Sequence, residues 1–246
     1  MKTLVKLEIT RTLRNRKFMF FSVMYPAILF MIVSLSFKKD TAAGTTGLTA
    51  VAYLMTAMAA FGAMTAVLMG NAERIARERE KGWVRQLRLT ALPGRGYVTA
   101  KIASAATVSL PSIVIVLVLG ATVKGVHLAA WQWIGIGVAT WAGSLVFAAL
   151  GVAIGYLATA DAARPISMIF YFGLAALGGL WVPLYTFPHW LQTTAGYLPA
   201  GPYAALGRSI ELGDAPHAKD ITVLVVYLLL FAGAAAWLYR KDTRKA

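Results

Sequence analysis

Cysteine is absent from this 246-residue chain, and charged residues are scarce. Without cysteine the protein can form no disulfide, no thiolate nucleophile and no cysteine-bound zinc site. Charged residues make up 14% of the chain, whereas soluble domains carry about one quarter. Because the charges are also clustered, long apolar runs remain between them, and hydrophobic residues reach 59%. The composition therefore indicates an all-α membrane protein that crosses the bilayer several times.

The sequence also lacks the motifs of a nucleotide-hydrolysing or metal-dependent enzyme. No Gly-x-x-x-x-Gly-Lys-Ser/Thr segment is present to hold phosphates, so the chain should not hydrolyse nucleotide by itself. We find no Ser-His-Asp set, carboxylate pair or cluster with metal-ligand spacing. A zinc site of His127, His189 and His217 is conceivable, but three isolated surface histidines explain this wide spacing better. We therefore expect no enzyme, cofactor or metal site in this chain.

Acidic residues are few, with 10 Asp and Glu against 24 Lys and Arg. A net charge of +14 can indicate a nucleic-acid binder. Here, however, the cations lie at the ends of apolar runs, where they orient a protein in the bilayer, so we expect no nucleic-acid partner. Most of them fall in segments 1–17, 71–101, 158–165 and 240–246. The positive-inside rule therefore predicts that both termini and these segments are cytoplasmic.

Six apolar runs predict six transmembrane helices: 18–37, 48–70, 102–123, 131–157, 166–184 and 221–239. Pro26 and Pro111 are expected to kink the first and third. Residues 1–17 are typical of an amphipathic interfacial helix on lipid, with a disordered basic tail as the alternative. Residues 185–220 hold two short helices, near 189–198 and 202–212, which predict a re-entrant hairpin on the outer side.

Glycine and proline suggest further details of the helices. Gly151 and Gly155 form a GxxxG pair, which favours close packing of the fourth span against another helix. Residues 158–164 are expected to form a short cytoplasmic turn, with Pro165 at the first position of the next helix. Gly178 and Gly179 are placed inside the fifth span.

The predicted spans contain no Asp, Glu, Lys, Arg or His in their interiors. Ion-coupled carriers usually keep an ionisable residue within the membrane. An ion-coupled carrier or channel is therefore disfavoured, and the energy for any transport is expected to come from outside the bilayer. A membrane-embedded enzyme is disfavoured by the lack of catalytic clusters, while an ATPase-independent immunity or assembly protein stays open.

Residues 71–93 form the longest polar segment between two apolar ones. Glu73 with Arg77 and Arg74 with Glu78 have the i,i+4 spacing of a solvated helix. Gly82 predicts a bend, after which Trp83, Val84 and Leu87 form a small apolar face; Pro93 ends the segment. A plain connector would not need such a face in water, so the pattern favours a docking element for another protein.

This order of elements resembles the permease subunit of bacterial ABC-2-type exporters, the class that exports drugs and natural products. The resemblance covers essentially the whole chain and is carried by a motif that leads to Lys101: Glu78-x-x-x-Gly82-x-x-x-x-Leu87-x-x-Thr90-x-x-Pro93. Trp83-Val84-Arg85 stands where the family has a further acidic or small residue. The resemblance implies a multi-pass protein of the bacterial cytoplasmic (inner) membrane.

The resemblance also implies partners and residue roles. Two ABC ATP-binding subunits would bind ATP and Mg, and a second permease subunit would be a copy of this chain or a paralogue. The coupling residues would be Glu78, Gly82, Trp83, Leu87, Arg88 and Pro93, with Asp161 and Arg164 as a smaller contact. The outer gate would be formed by Pro188, Trp190, Pro199 and Tyr203.

The second and fifth spans commonly line the substrate path in this fold. The candidate residues on them are Tyr53, Met58, Phe61, Phe170, Tyr171 and Leu174. An aromatic and methionine wall without charge favours an amphiphilic or apolar substrate, such as a drug, antibiotic, lipid or natural product.

Overall fold

The computed structural model describes residues 7, 10, 14–37, 41–44, 47–82 and 94–244, with the backbone alone at 17, 94–100, 103, 243 and 244. Within these ranges the secondary structure is helical, apart from one antiparallel bridge between Ala42 and Thr49. The helices are α1 (Arg16–Met19), a π turn (Phe20–Met24), α2 (Tyr25–Ser34), α3 (Ala50–Glu80), α4 (Gly94–Thr122), α5 (Ala130–Leu157), α6 (Ala160–Leu177), a 3-10 turn (Leu184–Thr186), α7 (His189–Ala195), α8 (Ala200–Leu212) and α9 (Ala218–Arg244).

Among the described residues, four helices are long and apolar enough to cross a membrane: α3, α4, α5 and α9. Phe20–Ser34 is a shorter apolar helix, and α6 does not reach the same criteria. The outward side chains of α9 are largely apolar, including Leu229 and Trp237, which suits contact with lipid. The all-helical membrane class is confirmed, while the number of six spans stays a prediction.

Helix α3 lies at the centre of the bundle, and its apolar window is buried all around. Helix α5 packs closely against it through the predicted glycine pair. A Cβ at Gly151 would lie 2.7 Å from the carbonyl oxygen of Leu68, and one at Gly155 would lie 3.0 Å from that of Ala72. Only glycine therefore permits this approach of the two backbones, as the GxxxG pattern predicted.

The start of α6 differs from the prediction. Thr159 is the N-cap, and its hydroxyl accepts a hydrogen bond from the N–H of Ala162 at 3.4 Å. Asp161 and Arg164 consequently lie in helix α6 and not in a turn, and Pro165 lies inside that helix and not at its first position. A threonine cap satisfies the free N–H groups of a helix start, which a proline cannot do.

Helix α6 also ends earlier than predicted. Gly178 and Gly179 terminate it, and Gly179 has a φ of 72°. The N–H of Leu180 donates to the carbonyl of Ala175 at 3.0 Å, and that of Gly179 donates to Ala176 at 3.4 Å. This is a Schellman motif, in which a glycine at positive φ closes the helix. Both glycines therefore lie at the end of helix α6 and not within it.

The two prolines act differently on their helices. Pro26 lies in the first turn of α2, directly after the π turn, where the N–H of Tyr25 donates to the carbonyl of Phe20. The first helical segment is therefore irregular next to Pro26, where a kink was predicted, and the irregularity is a π turn. Helix α4 continues through Pro111 without a break in its helical assignment.

The bundle has two chemically distinct ends. At one of them, named here the basic end, the last turn of α3 meets α4, α5 and α9 through Glu78, Arg79, Lys101 and Asp242. At the other, named here the hairpin end, α8 meets the first turns of α3 and α5. The long central helix α3 therefore connects both ends directly.

Candidate functional site

A buried ion pair closes the base of the polar segment at the basic end. The ammonium nitrogen of Lys101 lies 2.8 Å from a carboxylate oxygen of Glu78, and their side chains are 1% and 6% exposed. Glu78 belongs to the last turn of α3 and Lys101 to α4, so residues 79–100 lie between the two charges. Because a buried charge is stable only when it is paired, this ion pair holds the two ends of the segment together.

Arg79 links the same helix end to two further helices. Its guanidinium donates to the carbonyls of Gly155 at 3.0 Å and Ala158 at 3.3 Å, at the end of α5. It also pairs with Asp242 of α9 at 2.6 Å and lies over the ring of Tyr156. A cation at the carbonyl end of a helix is favoured by the helix dipole. Movement of this end of α3 would therefore act on α4, α5 and α9 together.

The predicted docking residues fall into three groups. Glu78 is buried and its carboxylate pairs with Lys101, while its role in coupling stays a prediction. Gly82 has a φ of 69° just after α3 ends, which places the predicted bend there. Asp161 and Arg164 are exposed on α6. The remaining predicted residues, Trp83, Leu87, Arg88 and Pro93, lie outside the described residues.

Two of the predicted path residues form the centre of an aromatic cluster. The rings of Phe61 and Tyr171 are stacked with centroids 4.9 Å apart, and Trp181 contacts Phe61 at 5.2 Å. The hydroxyls of Thr65 and Tyr171 are hydrogen-bonded at 2.9 Å. The cluster joins α3 to α6, the second and fifth predicted spans.

The other predicted path residues are dispersed. Met58 is buried in the core, and Leu174 packs against the core while partly buried. Phe170 is exposed on the outer surface of α6. Tyr53 lies at the hairpin end, where its hydroxyl contacts the guanidinium of Arg208. The structure therefore does not bring the six residues together into one wall.

A groove of about 760 Å³ runs between the first helical segment, α3 and α6. Of the six predicted path residues, Tyr171 alone lines it. The groove is defined by its lining residues: Asn15, Phe18, Phe21, Ser22, Tyr25, Thr65, Met69, Gly70, Glu73, Arg74, Arg77, Arg164, Met168, Tyr171 and Phe172. Sequence reasoning identified two of its helices but missed the contribution of residues 15–25.

The hairpin end holds α8 deep in the bundle. Tyr203 is buried, its ring packs at a tilt against that of Phe147, and its hydroxyl donates towards the carbonyls of Ala60 at 3.2 Å and Thr140 at 3.1 Å. Pro188 and Pro199 precede α7 and α8 as their N-caps, and Trp190 is exposed. Tyr203 is thus the predicted gate residue whose hydroxyl joins α8 to both α3 and α5.

Glu211, near the end of α8, is a buried carboxylate that the sequence did not single out. Thr56 donates to its Oε2 at 3.3 Å, while Oε1 has no hydrogen-bond partner among the described residues. Gln132 donates to the backbone carbonyls of Ile210 and Glu211 at 3.0 and 2.9 Å. Burial raises the pKa of Glu211 to about 8, partly offset by the Thr56 hydrogen bond and the charge of Arg208.

The described residues contain no group of three or more His, Asp or Glu side chains that could hold a metal ion. The family model described as "ABC-2 family transporter protein" matches residues 31–237. The chain belongs to the ABC-2 transporter family. This permease is also 29% identical over 239 residues to a protein of Bacillus subtilis (strain 168) named "Putative transport permease YvfS", with 96% of this chain and 95% of the relative covered.

The family and the relative agree on a transport permease, an integral membrane protein that is a transporter subunit and not a member of an enzyme family. The resemblance found in the sequence is therefore confirmed at the level of the family. Membership also implies, in general, an ABC ATP-binding partner for this permease.

Proposed function

We propose that this permease is the membrane subunit of an ATP-driven exporter and that residues 73–92 dock a separate ATPase. The observation that carries this proposal is the buried ion pair at the base of the segment. A flexible connector would need no such closure. Two charges are costly to bury unless they are paired, so their presence here favours a segment held at a fixed angle.

Helix α3 offers a direct route from this segment to the transport path. It runs without interruption from Glu80 back to Ala50, and its middle carries Phe61 and Thr65, which contact Tyr171. Close-packed helices transmit displacement because their interiors compress little. A push on the end of α3 would therefore shift the contact between α3 and α6.

The hydrogen bonds of Arg79 would transmit the same displacement to α5 and α9. Its contacts with Gly155, Ala158 and Asp242 fix the end of α3 to α5 and α9. We propose that ATP binding by two partner subunits moves this joined end as a unit and opens the path outward. The second permease subunit is a copy of this chain or a paralogue, and ATP and Mg are bound by the partner subunits.

The orientation follows from the distribution of cations. We place the basic end and both termini in the cytoplasm and α7 and α8 on the outer side of a bacterial cytoplasmic membrane. Tyr203, anchored between α3 and α5, would then belong to the outer closure of the path. The aromatic cluster favours an amphiphilic or apolar cargo.

Co-purification tests the docking claim. The tagged full-length chain, expressed with its ABC ATP-binding subunit, should retain that subunit through solubilisation in mild detergent. Trp83→Glu and Leu87→Asp should each release it, because a charge at an apolar contact opposes burial. Trp190→Glu makes the same change on an exposed tryptophan at the hairpin end and should retain the subunit. Retention by both docking variants would overturn the proposal.

A further inference from the structure

We propose that the groove binds an amphiphile with a negatively charged head group and that such molecules are the substrate class of the transporter. Binding rests on the groove itself, while the role as cargo rests on the function proposed above. The sequence alone favoured an apolar or amphiphilic substrate of unspecified charge. Three features of the groove narrow that choice: its charged mouth, its apolar walls and its size.

Arginines dominate the mouth of the groove at the basic end. Arg74 and Arg77 lie on neighbouring turns of α3, and Arg164 faces them from α6. Among the described lining residues, Glu73 is the acidic one, and it pairs with Arg77 at 2.8 Å. Asp161, one turn before Arg164, does not line the groove. Arginines thus outnumber acidic residues by three to one among the described lining residues, and guanidinium groups bind phosphate and carboxylate oxygens well.

Below the arginines the walls become apolar. Phe18 and Phe21 come from the first helical segment, Met69 from α3, and Met168 and Phe172 from α6. Such aromatic and methionine side chains adapt to flexible apolar chains.

Three hydroxyl groups in the groove already have partners. Thr65 and Tyr171 bond to each other at 2.9 Å, and the hydroxyl of Ser22 donates to the carbonyl of Phe18 at 2.8 Å. An apolar tail beside them would therefore not have to break these hydrogen bonds.

The dimensions and position fit a single-chain amphiphile. The groove encloses about 760 Å³, within the range of about 300–1,000 Å³ that is usual for small-molecule sites. Its arginines lie near the start of α6 and the last turns of α3, at the end that the positive-inside rule assigns to the cytoplasm. A head group would therefore sit at the level of the inner lipid head groups, with its tail towards the middle of the bundle.

Binding to the purified full-length chain in uncharged detergent tests the proposal. The probes are oleoyl lysophosphatidylglycerol, oleoyl lysophosphatidylcholine and glycerol 3-phosphate, which separate the tail from the charge. The anionic lysolipid should bind about tenfold more tightly than the zwitterionic one, because it can accept charge-assisted hydrogen bonds without a competing cation. Glycerol 3-phosphate should bind much more weakly than either. Equal affinity for the two lysolipids would overturn the proposal.

Two substitutions with opposite effects locate the site. Arg164→Gln should weaken binding of the anionic lysolipid about tenfold and leave the zwitterionic one unchanged. Glu73→Gln should strengthen it about threefold, because Arg77 then loses its competing partner. An increase in affinity cannot result from misfolding. Lys241→Gln removes an exposed cation of α9 outside the groove and should change neither affinity. If Arg164→Gln and Lys241→Gln behave alike, the groove is not the site.

The proposed docking function can fail without affecting this result. Trp83→Glu should release the ATPase yet preserve the preference for the anionic lysolipid, because Trp83 is not among the residues that line the groove. Loss of the preference in Arg164→Gln would support the groove whether or not the ATPase is retained, because Arg164 is also a predicted docking contact. Loss of the preference in Trp83→Glu would contradict a binding groove that is separate from the Trp83 contact.

Discussion

Lys101 reaches from α4 to within 2.8 Å of the carboxylate of Glu78 on α3, in a place almost closed to solvent. Twenty-two residues separate them in the chain, and these include most of the docking segment. The ion pair therefore fixes the position at which the segment leaves α3 relative to the position at which it enters α4. Any force on the segment acts on both helices together.

Removing one of the two charges of the Glu78–Lys101 ion pair should destabilise the protein. Lys101→Met removes the ammonium group that pairs with the buried carboxylate of Glu78, and the loss of one member of a buried ion pair costs about 3–5 kcal/mol in free energy of unfolding. Denaturation of the detergent-solubilised chain, followed by tryptophan fluorescence, measures this loss.

Exchanging the two charges between positions 78 and 101 provides the control for the role of the ion pair. Lys101→Glu alone should be as harmful as Lys101→Met, and the double variant Glu78→Lys, Lys101→Glu should recover a large part of the lost stability, because a pair is again present. If the double variant is no more stable than the single ones, the ion pair is not what holds these helices together.

Stability should depend on pH through Glu211. Its pKa rises from an ordinary value of 4.5 to about 8 in the folded protein. Between these values the folded chain holds a proton that the unfolded chain has released, so stability falls as pH rises across this interval and levels off above it. The facing charge is Arg208, and Thr56 supplies the facing hydroxyl of α3. The melting temperature should therefore be higher at pH 5 than at pH 8.

Glu211→Gln should flatten that dependence, because the amide stays neutral throughout. Asp214→Asn is the matched control, since it removes an exposed carboxyl three residues later and should leave the slope unchanged. If the melting temperature of Glu211→Gln changes with pH as strongly as that of the wild type, the carboxyl of Glu211 does not change its protonation between pH 5 and pH 8.

Close approach of α5 to α3 should make Gly151 intolerant of any side chain. Gly151→Val places carbon atoms against the backbone of Leu68 and should lower the free energy of unfolding by about 1–3 kcal/mol. Gly173→Val makes the same change on α6, where a Cβ would meet no atom within 4 Å. Comparison of the two melting temperatures checks this, and equal values would contradict the close packing of α5 on α3.

The apolar runs were enough to predict the helical class and the approximate position of most helices. Proline and glycine residues also located α7 and α8 and the turn at Gly82, because these residues determine the backbone conformation at their own positions. The end of α6 was missed since glycine occurs both inside membrane helices and at their ends. Thr159 was overlooked as a cap because Pro165 offered a competing start.

The site was harder to predict because its contacts join distant parts of the chain. The pairing of Glu78 with Lys101 and of Arg79 with Asp242 depends on how the helices pack, and no local pattern reports it. Charge did supply a partial signal for the first pair, since Glu78 lies within the polar segment and Lys101 follows it. The groove likewise needs residues 15–25 beside α3 and α6, an adjacency that the sequence does not express.

The sidedness of Lys81 tests the central claim most directly. The chain has no cysteine, so Lys81→Cys at the exposed end of α3 and Asp214→Cys at the hairpin end each provide a single thiol. A membrane-impermeant maleimide should label Asp214→Cys but not Lys81→Cys in intact cells, and Lys81→Cys but not Asp214→Cys in inverted membrane vesicles. Labelling of Lys81→Cys from outside intact cells would place the segment away from any cytoplasmic ATPase and contradict the account.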